Sequence, residues 1–137
     1  YTSLYSNIYG YALSTVETNG EWNSAYIGVI TNARHIRKIV PDDKLMVGIS
    51  KVIEANAIGT LALLTGDVPY SEINNPEIDD PKFDDQKAVL SSLSALLDEA
   101  ISDMNSSTST NAGLKLYDIY FGGNKTSRYR SSILYLL

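Results

Sequence analysis

Few residues in this chain are equipped for covalent or metal chemistry. Its one histidine, His35, stands beside Arg34 and Arg37, with no carboxylate next to it to raise its basicity, so it is a poor general base. A serine nucleophile would need that same histidine, and no nucleophile-elbow sequence accompanies any serine. Cysteine is absent, which removes disulfides, thiolate metal sites and cysteine nucleophiles. Gly122-Gly123-Asn124-Lys125-Thr126 has the look of a phosphate loop but lacks the glycine directly before lysine and the second one upstream. The acidic run Asp79, Asp80, Asp84 and Asp85 has calcium-compatible oxygens, yet no EF-hand alternation or glycine. A solvated loop explains it. No pair of carboxylates is singled out for glycoside hydrolysis. The expectation is a protein with no catalytic residue, no metal and no cofactor.

What remains is aromatic. The chain has 10 tyrosines, 2 phenylalanines and 1 tryptophan, a set rich in rings that also hydrogen-bond. Sugar rings present apolar C–H faces edged by hydroxyls, which suits Trp and Tyr flanked by Asn, Asp or Glu. Trp22, Tyr11 and Asn19, with Glu21 beside them, are therefore the candidate ligand-binding residues, Trp22 foremost. Helical packing is the competing role for each. With 16 acidic and 11 basic side chains the net charge is −5, which argues against a nucleic-acid partner.

The elements that would position these residues are helices. Tyr1, Leu4, Tyr5, Ile8, Tyr11 and Ala12 share one helical face, and Asn19-Gly20 is a stop signal. A second stripe runs Trp22, Tyr26, Val29, Ile30, Ala33, Ile36, Val40 and stops at Pro41. A third, capped by Asp42 or Asp43, buries Leu45, Ile49, Val52, Ile53, Leu61 and Leu64, with small residues between them. These two make an antiparallel hairpin over about 22–64, in tetratricopeptide fashion but without a fixed 34-residue period. Residues 65–85 form a long acidic loop. A helix over about 86–104 carries the clearest stripe, from Val89 to Met104. A Ser/Thr/Asn linker follows, then a final helix from about Lys125. No apolar run approaches the roughly 20 residues of a bilayer span. The chain reads as one domain, 1–137, and its apolar close, Ile133 to Leu137, reads as the interior of a longer protein.

The string Gly66-Asp67-Val68-Pro69-Tyr70-Ser71-Glu72 follows an Ala-rich helix. It precedes Pro81-Lys82-Phe83-Asp84-Asp85-Gln86 and then Leu96-Leu97-Asp98-Glu99-Ala100. In this order and spacing the three resemble the SusD/RagB family of surface glycan-binding lipoproteins. Its members carry a "GD-x-PYSEA" turn, a "P-x-[YF]-D-x-Q" helix start and an "L-LDEA" helix. Asp118 to Asn124 is similar to the family's "D-x-x-Y-x-GGD" turn. The likeness runs roughly from Trp22 to the end, with Ile73 replacing alanine and Asn124 replacing aspartate. Gly66, Asp67, Pro69, Tyr70 and Asp84 are its motif residues, and each has a local structural role open to it as helix terminus, turn or cap.

The resemblance implies an all-α fragment of a larger SusD-like fold, with tetratricopeptide-like hairpins and long loops. It also implies a surface-exposed outer-membrane lipoprotein, attached by a lipid anchor outside this segment. Such a protein binds an oligosaccharide or similar nutrient and delivers it to a SusC-like TonB-dependent transporter. The alternative from the helices alone is a helical-repeat adaptor for a protein or peptide partner.

Overall fold

A computed structural model describes residues 20, 22–73, 75 and 77–106. The readings on Tyr1 to Asn19, on most of the linker, on the Asp118–Asn124 turn and on the final helix lie outside the described residues. Among the described residues the fold is made of three helices and no β-strand.

Helix α1 contains a π-helical stretch, Ser24–Ile30, with Trp22 and Asn23 already helical before it, and continues as α-helix through Thr31–Ile39. The wider winding is fixed at its end by Thr31, whose backbone N–H and hydroxyl both donate to the Tyr26 carbonyl, the hydroxyl at 2.9 Å. Gly20 is itself helical, so the stop expected at Asn19-Gly20 is not realised at the glycine. At the other end Val40 leaves helical geometry, with φ −125° and ψ 59°, as a residue before proline must.

Helix α2 spans Lys44–Thr65. Asp43 caps it, its carboxylate accepting from the Met46 N–H at 3.2 Å. Gly66 ends it at φ 89°, a conformation that favours glycine, and returns its N–H to the Ala62 carbonyl. Helix α3 covers Gln86–Ser106.

α2 and α3 pack antiparallel along their length. Gly48 lies against Met104 and Ala100, Lys51 reaches Glu99 and Asp103, and Gly59 faces Leu93. Gly48 marks the closest approach: a Cβ there would stand 2.6 Å from Met104 Cγ and 3.0 Å from the Ala100 carbonyl oxygen. Ile30, Ile58, Val68, Val89 and Ala100 are fully or almost fully buried in the core between the helices. Each large apolar side chain buried this way stabilises by about 1.5–3 kcal/mol.

Two expectations for α2 are corrected. Ile53 is 47% and Leu64 75% exposed. α2 is gripped from two sides, by α3 through Gly48, Lys51 and Gly59 and by α1 through Glu54, so a single-stripe reading puts the wrong residues inside. Ile53, Leu63 and Leu64 point along the third side. Also, α2 is long and apolar enough, by length and composition, to cross a membrane, with a mean hydropathy of 1.4. Counting unbroken apolar runs missed this because Lys51, Glu54 and Asn56 interrupt the run. Its almost sealed Glu54 and its lengthwise contact with α3 are features of a core helix.

Candidate functional site

The link between α2 and α3 is a strap lying back on the helices, held by polar contacts within it and to both neighbouring helices. Asp84 supplies the main ones. Its carboxylate accepts from the backbone N–H of Tyr70 at 3.0 Å, the N–H of Ser71 and the Ser71 hydroxyl at 2.8 Å. The Ser71 N–H leads in holding the Asp84 carboxyl below its ordinary pKa, with the Ser71 hydroxyl and the Tyr70 N–H adding to it and burial opposing. An antiparallel bridge pairs Val68 with Asp84, their N–H groups donating reciprocally at 3.3 and 3.0 Å. Lower on the strap, Glu72 accepts from the Lys82 backbone N–H at 3.0 Å and pairs with the Lys82 ammonium at 2.8 Å.

Asp84, one of the motif residues with a capping role open to it, does not cap the helix that starts at Gln86. Asp85 is the cap, its carboxylate accepting the Ala88 N–H at 3.1 Å, and Asp67 reaches from across the strap to accept the Gln86 N–H at 3.0 Å. The Gln86 side chain in turn donates to the Ala62 carbonyl at 2.6 Å, tying the start of α3 to the end of α2. Asp84 is turned away because its strap partners offer it three donors at once.

Behind the strap lies a charged cluster that the sequence did not single out. Glu54 is 1% exposed in the middle of α2. Its Oε1 accepts from Arg34 Nε at 3.0 Å, Arg34 Nη2 at 2.9 Å and the Tyr70 hydroxyl at 3.2 Å. Its Oε2 pairs with Arg37. Arg34 also donates to the Ile73 carbonyl at 3.0 Å and lies 5.5 Å from the Tyr70 ring centroid, within cation–π range. Burial, with the negative charge of Glu54 adding to it, pushes the Tyr70 phenol up to about 12. The signal was present in sequence as one acidic residue in an apolar helix and two arginines three apart on the helix before it.

The third cluster is aromatic. Trp22 stacks on Tyr26 at 5.4 Å between centroids and 15° between planes, and meets Phe83 at a tilt of 56° with 6.1 Å between centroids. Trp22 is half-buried against the core, and Phe83 is 65% exposed. The Tyr26 hydroxyl donates to the Pro69 carbonyl at 2.7 Å, so the motif strap and the aromatic group are in direct contact. Phe83 was not anticipated as a member. Tyr11 and Asn19 lie outside the described residues. His35 is exposed on α1. The described residues include no group of three or more His, Asp or Glu placed to hold a metal ion.

The five motif residues thus converge on the strap: Gly66 at the end of α2, Asp67 at the start of α3, Pro69 under Tyr26, Tyr70 on Glu54, and Asp84 closing the loop. No curated protein matches the chain. A family does: residues 1–130 match the SusD-like family described as starch-binding, associating with the outer membrane. With nearly the whole chain covered, and with an all-α fold whose strap is built from the motif residues, this protein belongs to the SusD-like family.

Proposed function

We propose that this protein captures an oligosaccharide at the cell surface and passes it to a SusC-like TonB-dependent transporter in the outer membrane. The family match over residues 1–130 carries the reading. It acts by binding and performs no covalent step. Trp22, with Tyr11 and Asn19 from the segment before it, supplies contacts to the sugar: an apolar ring for the C–H face and an amide for the hydroxyls. The stacked and tilted rings around Trp22 support this assignment, since rings already fixed in place lose little entropy when a ligand arrives. Gly66, Asp67, Pro69, Tyr70 and Asp84 serve as scaffold and do not touch the ligand. A lipid anchor outside this segment holds the protein to the membrane surface.

The test is to extract the full-length protein from membranes in mild detergent and identify what accompanies it. A stoichiometric TonB-dependent barrel is the expected result. A protein that leaves membranes without a barrel and copurifies with another partner overturns the reading in favour of a helical-repeat adaptor.

A further inference from the structure

We infer that Tyr26 is the positioning residue for Trp22, holding the indole in place through the Pro69 carbonyl of the strap. The inference rests on the reading of Trp22 as a ligand contact. Three observations carry it. The two rings are stacked almost parallel at 5.4 Å. The far edge of the Tyr26 ring is not free, because its hydroxyl donates to Pro69 at 2.7 Å across 43 residues of chain. The near end is fixed too, since Thr31 takes the Tyr26 carbonyl through both its N–H and its hydroxyl in the π-helical turn.

Tyr26 is therefore a plate clamped at both ends, and Trp22 rests on it. The strap end of that clamp depends on Asp84, which orients Tyr70 and Ser71 directly after Pro69. Burial first, and the nearby Asp84 charge second, raise the Tyr26 phenol to about 12. It stays a protonated donor throughout the neutral range. A stacking ring held before the ligand arrives needs no ordering on binding, which is how a residue that never touches sugar affects affinity.

Full-length protein carrying Tyr26→Phe keeps the stack and loses the donor, and Tyr26→Leu loses the stack as well. Trp22 emission is isolated by subtracting the spectrum of the same variant in a Trp22→Phe background. Acrylamide quenching of that signal and affinity for soluble starch are then measured, with far-UV circular dichroism confirming the fold. Tyr26→Phe is expected to make Trp22 more quenchable and to weaken starch binding roughly three- to tenfold, the scale of one hydrogen bond. Tyr26→Leu does more of both. Unchanged Trp22 emission and quenching in both Tyr26 variants overturns the inference. Wild-type protein that ignores starch, or Trp22→Phe protein that binds it normally, counts against the ligand reading instead, and the emission data then decide the positioning role by themselves.

Discussion

Replacing Glu54 by glutamine removes one charge from the middle of α2 while keeping its shape. Two guanidinium groups, Arg34 and Arg37, then face each other without a counter-charge, and half of the amide presents N–H donors to N–H donors. Stripping one partner from a fully buried pair costs about 3–5 kcal/mol. Here Glu54 is 1% exposed but the Arg34 and Arg37 side chains keep 25% and 19% of their surface, so water recovers part of the loss. The expected cost is about 2–4 kcal/mol, out of roughly 5–15 for a typical domain. Urea denaturation of the purified protein, followed by far-UV circular dichroism, reads it as a lower midpoint at unchanged slope. Two companions locate the cause. Tyr70→Phe removes only the 3.2 Å hydroxyl bond and leaves the charges paired, so it costs about 0.5–1.5 kcal/mol. Changing Glu54, Arg34 and Arg37 together to apolar residues of similar volume costs less than Glu54→Gln alone, because no charge is stranded. A Glu54→Gln loss below about 1 kcal/mol, or a triple variant worse than the single, refutes the charge argument.

Gly48→Ala drives a methyl against Met104 and the Ala100 backbone oxygen and destabilises by about 1–3 kcal/mol in the same assay. Gly59→Ala meets only Leu93 Cδ1 at 3.6 Å, ordinary contact, and is neutral or stabilising by up to about 1 kcal/mol. Gly66→Ala, at φ 89°, costs about 1–3 kcal/mol by forcing a side chain into a glycine conformation. For Asp84 the pH dependence has a defined sign. Its folded carboxyl is depressed below the ordinary 3.8, so its contribution is fully present above that value and disappears as pH falls through the lower folded one. Asp84→Asn loses about 1–2 kcal/mol near neutrality and abolishes that part of the acid sensitivity, measured by denaturation at a series of pH values. Equal acid sensitivity in wild type and Asp84→Asn would falsify the assignment.

How legible these features were depended on how many neighbours each element has. α3 packs mainly on α2, so its apolar residues fall on one face, and Val89, Leu93, Leu97, Ala100 and Met104 are buried as their spacing indicates. α2 has neighbours on two sides. Its interior residues spread around most of the helix, and a one-face reading placed Ile53 and Leu64 inside. Glu54 stayed hidden for a related reason: its partners come from another helix and from the strap, at sequence distances of 16 to 20 residues. Local pattern reports what a helix does to its own neighbours three and four residues away, not which charge another helix delivers.

The crossed contacts of Asp67 and Asp84 show where motif reading stops. Both aspartates stand where a turn or helix start needs an acceptor, and proximity alone assigns Asp84 to the helix at Gln86. Geometry reverses this, since the bridge between Val68 and Asp84 runs the strap's two ends antiparallel. Asp84 is thereby set beside the amides of Tyr70 and Ser71, and Asp67 beside that of Gln86. Each carboxylate accepts amides at the far end of the loop from its own position, while Asp85 caps the helix start locally. The motif's order along the chain follows from this crossing: glycine to release the helix, aspartate to reach forward, tyrosine to reach Glu54, and a second aspartate to reach back. A strap closed from both ends in this way fixes the Pro69 carbonyl, and through Tyr26 it bears on the one tryptophan in the chain.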